Sequence, residues 1–566
     1  MSKRPSSPGP QSREAGVNPV SDQSPSASAQ RQRTTQDGTQ PPRTAADTDE
    51  MGEFEDQFED EFEDEEVDHN ARNDDDDDSD NASDDEDGGE EMEIDGVRTD
   101  GKIRRADEEE DGTADKAAAA AEVQAYIPGV NKLEEGQTLE ADQSAYEMLH
   151  KLNVTWPCLS FDHLRDHLGS DRQGFPHTSY FVAGTQADIA KNNEIMVMKA
   201  SSLHKTQGDD NLSDDEDDDD DDGLDDDAIL EYRSIPVVGG INRVRAAPVA
   251  TPTADSEACL DPYPVAVWNE TGKVQIFDVR PLYNALDRPG TTYDKRKVNA
   301  PMFVVDAHRG VEGYAMDWAG LGGGGGATGK ASSLRLLTGD IHSKIYLTTS
   351  SNAGFVTNAT PFASHTSSVE DLQWSPSEPT VFASCSADRS IRIWDVRVKS
   401  RKSVIAVEDA HPEDVNVISW NRGTDYLLAS GGDEGGINVW DMRTFKSSTG
   451  AGGAPAPARP SPVAGFQWHT APISSIEWHP TEDSIFAASG RDDQVTLWDL
   501  SVEQDDEEAD GQGALKGPDG QDVPSQLLFC HHGSHDIKEV HWHPQITGML
   551  TTTSLDGFNL FKTISV

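Results

Sequence analysis

The C-terminal half of the chain repeats one pattern of apolar and polar positions. An apolar stretch leads into a short polar turn, and a second stretch of alternating apolar residues closes on Trp-Asp. Such runs predict β-strands, and the acidic turn between them predicts a hairpin. The clearest copies are SCSADRSIRIWD at Ser384–Asp395, SGGDEGGINVWD at Ser430–Asp441 and SGRDDQVTLWD at Ser489–Asp499.

A second tryptophan ends a strand 20 residues before each closing tryptophan, at Trp374, Trp420 and Trp478. A repeat of this kind predicts a WD-repeat β-propeller. Weaker versions extend the count to seven blades, from strands at Tyr180–Thr185 and Ile195–Met198 to a last blade from His535 to Lys562. We therefore expect a propeller over residues 171–566.

The repeat also carries polar residues that are spaced for a buried hydrogen-bond relay. An acid in the turn holds a histidine from the preceding loop, the histidine contacts a strand hydroxyl, and the hydroxyl contacts the indole N–H. The fifth blade offers Glu434 in place of the acid Asp, and the sixth has Ala488 where the hydroxyl is expected. In the fourth blade the relay residues are His365, Ser384, Asp388 and Trp394.

Upstream of the repeats, Tyr146, Leu149 and Leu152 are three residues apart after a polar stretch. This spacing predicts a short amphipathic N-terminal helix, which an extended segment through Leu159 follows. We expect residues 126–170 to pack on the propeller rim. The expected fold is all-β: a seven-bladed WD-repeat β-propeller with a short N-terminal helix and long acidic disordered segments.

The charge distribution predicts disordered segments in addition to the propeller. The chain has 105 Asp and Glu against 46 Lys and Arg, a net charge of −59. Residues 51–120 carry −26 and residues 201–230 carry −13, with few apolar residues. Such composition predicts disorder, so we expect an acidic disordered tail over 1–125, a disordered insertion over 201–230 and an acidic loop over 501–525. Ser83 and Ser213 precede Asp-Asp-Glu, a context that acidophilic kinases favour.

The charge also narrows the classes of partner. A free nucleic-acid surface needs clustered Lys and Arg, so we expect no direct nucleic-acid binding and instead a basic protein partner. The sequence has no apolar run of membrane-spanning length and no signal peptide. Its four scattered cysteines indicate reduced thiols. We expect a monomer.

Two motifs resemble cofactor or metal sites and depart from them. The glycine-rich stretch 324–331 has Ala331 where a P-loop needs a hydroxyl for Mg²⁺. The histidines between His531 and His543 lack the ordered spacing of a zinc site. We therefore expect no cofactor, no metal and no catalytic residues, and a protein that is not an enzyme.

The N-terminal part of the propeller carries a more specific signal. Residues Tyr126-Ile-Pro-Gly, Leu159–Asp162, His163–Asp166 and Val182–Gln186 resemble the glutamate-rich WD-repeat proteins of ribosome biogenesis, relatives of the histone-binding WD-repeat family. The resemblance covers about residues 125–566. It implies a nuclear, mainly nucleolar protein, and it leaves a cytoplasmic pool open.

The resemblance also implies a function. It implies a chaperone that escorts a newly made basic protein of the large ribosomal subunit, L-three, until assembly, with only indirect contact to pre-ribosomal particles. The alternative is a histone-binding chaperone or a chromatin-complex subunit. Charge cannot separate the two, because ribosomal proteins and histones are both basic.

Matching residues to the histone-binding relatives implies two client-binding surfaces. The second-blade acid of the relatives is missing from the first surface, because Gly240 stands there. A Gly-rich stretch replaces the relatives' paired prolines at the second. The central face comprises Asn242, Glu312, Tyr314, Glu370 and Asn416. The rim groove comprises Tyr146, Leu149, Asp505, Asp506, Glu507, Glu508 and Asp510.

Overall fold

The fold was obtained as a computed structural model. It describes the backbone of Lys102–Arg105 and Gln137–Glu140, and residues 142–206, 227–249, 262–319, 334–445, 460–502 and 523–566. All of these belong to one unit of the chain, Met92–Val566. The predicted N-terminal tail 1–125 lies almost wholly outside the described residues.

Within these ranges the chain folds into seven four-stranded antiparallel sheets, as the Trp-Asp repeats predicted. The sheets are the blades of a closed propeller, and the strand named first for each blade lies innermost. Blade 1 has β4 (Cys158–His163), β5 (His177–Thr185), β6 (Asn193–Leu203) and β7 (Ile229–Val237); blade 2 has β8 (Ile241–Ala246), β9 (Pro264–Asn269), β10 (Lys273–Asp278) and β11 (Phe303–Val305); blade 3 has β12 (Gly313–Trp318), β13 (Arg335–Asp340), β14 (Ile345–Ser351) and β15 (Gly354–Thr357).

The remaining blades contain the clearest sequence repeats. Blade 4 has β16 (Val369–Trp374), β17 (Val381–Ser386), β18 (Ile391–Asp395) and β19 (Ile405–Val407); blade 5 has β20 (Val415–Trp420), β21 (Leu427–Gly432), β22 (Gly436–Asp441) and β23 (Ala464–Gln467); blade 6 has β24 (Ile473–Trp478), β25 (Ile485–Gly490), β26 (Gln494–Asp499) and β27 (Leu527–His532); blade 7 has β28 (Glu539–Trp542), β29 (Met549–Ser554), β30 (Gly557–Thr563) and β3 (Tyr146–Leu152).

A few elements lie outside the blades. They are the strand pair β1 (Lys102–Arg105) and β2 (Gln137–Glu140), helices α1 (Arg280–Asp287) and α2 (Lys295–Val298), and 3₁₀ turns at Gln143–Ala145, Ala190–Asn192 and Met442–Thr444. No helix in the described ranges is both long and apolar enough to cross a membrane. In the same ranges Cys158, Cys385 and Cys530 are unpaired.

The core is distributed around the ring. Buried apolar side chains form seven clusters in the described chain, and each cluster lies at one junction between neighbouring blades. The second strand of a blade is therefore covered on both faces, and strands such as β29 are buried along their whole length. This burial explains why those strands have continuous small or apolar residues, whereas the outer strands alternate.

The prediction of an N-terminal helix is wrong. Tyr146–Leu152 is strand β3, which pairs antiparallel with β30 and becomes the outermost strand of blade 7. A register shift between Tyr146 and Met148 breaks the simple alternation, so that the apolar spacing resembles that of a helix. Pairing with β30 supplies backbone hydrogen bonds that would otherwise be missing at this edge. This tertiary gain outweighs the local periodicity.

The propeller therefore starts upstream of residue 171. The expected extended segment contains β4, the innermost strand of blade 1, so the chain passes from blade 7 directly into blade 1. The expected insertion 201–230 is narrower in the described chain, because β6 continues to Leu203 and β7 begins at Ile229. Residues 207–226 and 503–522 lie outside the described residues.

Candidate protein-binding face

The relay residues of blade 4 lie together. His365 Nδ1 is 2.9 Å from Asp388 Oδ2, His365 Nε2 is 2.7 Å from Ser384 Oγ, and the Trp394 indole N–H donates to the same oxygen at 2.8 Å. Burial lowers the pKa of His365. A neutral imidazole then donates from Nδ1 to the carboxylate and accepts the serine proton at Nε2. All of these polar groups form hydrogen bonds within the blade, so the relay holds the turn between β17 and β18 in place.

Blades 5 and 6 build the same relay from different residues. Glu434 replaces Asp and lies 2.6 Å from His411 Nδ1. In blade 6 the hydroxyl missing at Ala488 is supplied by Thr496, which is paired with Ala488 on the adjacent strand. Thr496 Oγ1 is 2.9 Å from His469 Nε2 and accepts the Trp498 indole N–H at 2.8 Å. Sequence reasoning missed Thr496, because its position opposite Ala488 follows only from strand register.

The inner strands position the predicted central face. Asn242, Tyr314, Glu370 and Asn416 each occupy the β-bulge at the second residue of the innermost strand, in blades 2, 3, 4 and 5. A bulge turns its extra residue out of the regular ladder. Because the fold repeats around the ring, the four bulges open at the same end of the central channel. Glu312 directly precedes β12 at that end.

Acidic side chains cluster at this end of blades 3 to 5. Burial raises the pKa of Glu370, and the nearby carboxylates of Asp414 and Asp371 raise it further. Burial and the neighbouring Asp433 likewise raise the pKa of Asp414. Burial raises the pKa of Tyr314, with Glu312 and Glu370 adding to the effect. Like charges in a partly buried site repel one another, and a bound cation removes that cost.

The two asparagines differ in their surroundings. The Asn416 side-chain amide donates to Asp433 Oδ1 at 3.1 Å and to the Ile473 carbonyl at 3.3 Å, so it links blades 5 and 6. Asn242 is buried, and its amide nitrogen has no hydrogen-bond partner within the described residues. Of the two, Asn242 keeps a free donor. We call Asn242, Glu312, Tyr314, Glu370 and Asn416 the central face.

Below the central face, channel-facing side chains connect the blades. A carboxylate or hydroxyl on one inner strand accepts a backbone N–H from the inner strand of the next blade. The pairs are Glu539 with Phe161 N (2.9 Å), Asp162 with Ala246 N (2.8 Å), Asp317 with Trp374 N (2.7 Å), Asp371 with Ile418 N (3.2 Å), Ser419 with Trp478 N (3.2 Å) and Glu477 with Trp542 N (2.9 Å). These acids are already used for structure.

The channel also contains its own cations. Arg243 and Arg245 both pair with Glu539, which has a pKa held well below its usual range despite burial. His541 lies 3.0 Å from Glu477 and 3.5 Å from Glu539, and despite burial these carboxylates raise its pKa to about 9. Internal ion pairs therefore neutralise much of the channel. The acids left for a ligand are those at its mouth.

The described side of the predicted rim groove differs from the prediction. Tyr146 is buried in blade 7, where its hydroxyl lies 2.8 Å from His531 Nδ1. Leu149 is half-buried against the same cluster. The strand that carries them is part of the propeller, so Tyr146 presents no ring to a client. The five acids from Asp505 to Asp510 lie outside the described residues, so the structure gives no position for that side of the groove.

The described residues contain no group of three or more His, Cys, Asp or Glu side chains arranged to hold a metal ion. His541 belongs to the channel ion pairs. His543 is buried, and burial and nearby positive groups hold its pKa well below the usual range. The glycine-rich stretch 324–331 lies outside the described residues.

Comparison with known proteins gives two kinds of match. A family profile of the histone-binding protein RBBP4, which also covers a component of the CAF1 complex, matches residues 136–204. The WD domain, G-beta repeat, profile matches residues 357–395, 402–441 and 460–499. The first match covers β2 to β6, and the others together cover β16 to β26.

Individual proteins also match this chain, over different shares of its length. Ribosome assembly protein rrb1 of Schizosaccharomyces pombe is 44% identical over 478 residues, 84% of this chain and 90% of that protein. Glutamate-rich WD repeat-containing protein 1 of Dictyostelium discoideum is 42% identical over 443 residues, 77% of this chain and 83% of that protein. Histone-binding protein MSI1 of Saccharomyces cerevisiae is 30% identical over only 137 residues, 24% of this chain and 29% of that protein.

Proposed function

The chain belongs to the family of ribosome assembly protein rrb1 and glutamate-rich WD repeat-containing protein 1, and from that premise we propose that it escorts a basic protein during ribosome assembly. Membership of this family supports a role in ribosome biogenesis. The proposed client is the newly made large-subunit protein L-three, and the proposed site of action is the nucleus, mainly the nucleolus. The role is non-enzymatic: binding and release of the client.

The observation that carries the proposal is the acid cluster at the mouth of the channel. Glu312 and Glu370 lie near Tyr314, which is 37% exposed, and Asp414 lies near Glu370. A client lysine or arginine placed among them makes charge-assisted hydrogen bonds, which are shorter and stronger than neutral ones. The exposed phenol ring adds a surface for a cation–π contact.

The net charge of −59 supports the same role. A newly made ribosomal protein carries many lysines and arginines that bind RNA nonspecifically. Excess carboxylates attract such a client over a long range and compete with RNA for it. In this proposal the propeller supplies specificity, and the acidic segments supply screening.

The first experiment is affinity purification of the tagged chain from growing cells, with mass spectrometry of the co-eluting proteins. We expect L-three in near-stoichiometric amount, without mature ribosomes. Histones together with chromatin-assembly or deacetylase subunits, in place of L-three, would overturn the proposal.

A second experiment tests the central face with purified client. The double variant Glu312→Gln and Glu370→Gln removes two carboxylates and keeps side-chain shape. We expect client affinity to fall at least about tenfold, because hydrogen bonds to charged groups contribute about 1.5–3 kcal/mol each. The matched control is Glu378→Gln with Glu482→Gln, two exposed acids that follow inner strands β16 and β24. An equal loss in both variants would show a general charge effect and not a site.

A histone-binding role is the second candidate. The match of residues 136–204 to a histone-binding profile favours it. However, the profile ends at β6 and does not reach the acids of the central face. The affinity purification described above separates the two candidates by the identity of the basic protein that co-elutes.

A further inference from the structure

A groove on the outer rim of the propeller is lined by positively charged side chains, whereas the whole chain has a large negative net charge. It lies between β7, the outermost strand of blade 1, and the segment of blade 2 that carries α2. The groove has a volume of about 470 Å³. Tyr232, Arg233 and Pro236 form one wall, and Tyr293 and Lys295 contribute to the other.

The groove is basic. Arg233, Lys295, Arg296 and Lys297 are all exposed. Within the part of the chain that the structure describes, none of the four forms an ion pair. The nearest acids in sequence are Glu231, which lies 3.8 Å from Lys199 Nζ, and Asp294, whose carboxylate accepts the Arg296 backbone N–H at 3.0 Å as the N-cap of α2. Arg233 and Lys295 therefore bring positive charge to the groove itself, and Arg296 and Lys297 add charge on the same short helix as Lys295.

The groove is not suited to binding an additional β-strand along the edge of β7. The outer edge of β7 pairs with no further strand in the described chain. That edge carries Pro236, which has no N–H to donate, and the exposed charge of Arg233, and both features oppose the pairing of another strand. The groove can therefore recognise a ligand only through its side chains. These are positively charged groups and tyrosine rings, and Tyr232 is 51% exposed. This chemistry fits a flexible polyanion.

The chain itself provides such a polyanion next to the groove. Residues 207–226 contain 13 Asp and Glu among 20 residues and no Lys or Arg. They connect β6 to β7, and the described chain resumes at Asp227, five residues before Tyr232. Five strand residues span about 17 Å. Twenty residues anchored at both ends reach out about 30 Å, so the segment is long enough to reach the groove.

Two physical effects favour this occupant over a polyanion from solution. A chain with a net charge of −59 repels free RNA or acidic proteins over a long range. A tethered segment is present at an effective concentration on the order of millimolar. We propose that the groove between β7 and α2 is the docking site for the chain's own acidic segment, residues 207–226. This inference does not depend on the proposed function.

Docking has two consequences. The docked segment competes with other polyanions, including RNA, for the groove. It also brings Ser213, which precedes Asp-Asp-Glu, to the basic wall, where a phosphate would add about two negative charges and strengthen the docking.

The test uses the full chain and a fluorescent peptide with the sequence of residues 207–226. In the neutralised variant, Asp214, Asp215 and the six residues Asp217–Asp222 are changed to Asn. By fluorescence anisotropy at low salt, we expect this variant to bind the peptide at least about tenfold more tightly than the unaltered chain, because its groove is vacant. Adding Arg233→Ser and Lys295→Ser, which change the two cations that line the groove, should abolish the gain. These two residues are exposed, and thermal unfolding checks that the fold is kept.

The matched control changes eight aspartates of the N-terminal tail to Asn: Asp74–Asp78, Asp80, Asp84 and Asp85. It removes the same charge and should leave peptide binding as weak as in the unaltered chain. An equal gain in the tail variant would mean that only net charge matters, and would overturn the proposal. No gain in the neutralised variant would also overturn it. So would binding of single-stranded RNA to the unaltered chain that is lost with the two groove substitutions, because the occupant would then be RNA.

Discussion

A single hydroxyl completes the buried relay in each of blades 4, 5 and 6. Ser384 and Ser430 supply it from the second strand of the blade, and Thr496 supplies it from the third. In every case the oxygen contacts both a histidine and an indole N–H. Loss of the oxygen leaves two buried polar groups without a partner, which costs more than the bond itself contributed.

We therefore predict that Thr496→Val destabilises the propeller by about 1–3 kcal/mol, measured as a shift of the urea or thermal unfolding midpoint. Adding Ala488→Ser should recover part of the loss, because it restores a hydroxyl at the position used in blades 4 and 5. An unchanged midpoint in the single variant would show that the relay of blade 6 adds no stability.

One strand, β3, closes the ring. It brings residues from the start of the propeller to β30 near the end of the chain, with Tyr146 opposite Thr563 and Leu152 opposite Phe558. Met148 is fully buried at the junction of blades 7 and 1, together with Leu152 and Phe558. Closure by a distant strand means that blade 7 is complete only when both ends of the propeller have folded.

Met148→Ala should lower the free energy of unfolding by about 2–5 kcal/mol, because it removes a buried side chain and leaves a cavity. The control is Lys151→Ala on the same strand, an exposed position at which we expect a change within about 0.5 kcal/mol. Chemical unfolding followed by tryptophan fluorescence measures both. Equal effects of the two substitutions would contradict the assignment of β3 as a packed strand.

The whole molecule combines a rigid ring with a large excess of acid. Inside the ring, carboxylates such as Asp162 and Glu477 are used to join neighbouring blades. At the channel mouth, Glu370 and Asp414 repel each other. The same residue type thus stabilises the fold in one place and forms the proposed binding surface in another. The difference lies in whether a backbone N–H or an arginine already faces the carboxylate.

Neutralising the acidic loop, with Asp505, Asp506 and Asp510 changed to Asn and Glu507 and Glu508 to Gln, should weaken client binding more at low salt than at high salt. Solvent-exposed charges are screened beyond about 10 Å at 0.1 M salt, so a long-range contribution fades as salt rises. Titration of purified client at two salt concentrations measures the effect. An equal loss at both would count against an electrostatic role for this loop.

Sequence spacing predicts a residue's contacts correctly when its partners lie in the same repeat. His365, Ser384, Asp388 and Trp394 belong to one blade, and their sequence spacing predicted the contacts between them. It failed for Thr496, whose role depends on strand register, and for Tyr146, which was expected to line a groove and instead packs in blade 7. The acids Asp414 and Asp433 were missed, because only the ring places Asp414 near Glu370 and Asp433 near Asp414.

The sequence by itself determined the blade: the alternation of apolar residues, the acidic turn and the closing Trp-Asp specify strands and hairpins through local periodicity and turn chemistry. It also predicts a basic partner, because net charge is a property of composition. The tertiary structure decided which segment closes the ring and which carboxylates remain free. The first depends on pairing between residues hundreds of positions apart, and the second depends on contacts between neighbouring blades. Backbone pairing or burial at such contacts outweighs local preference.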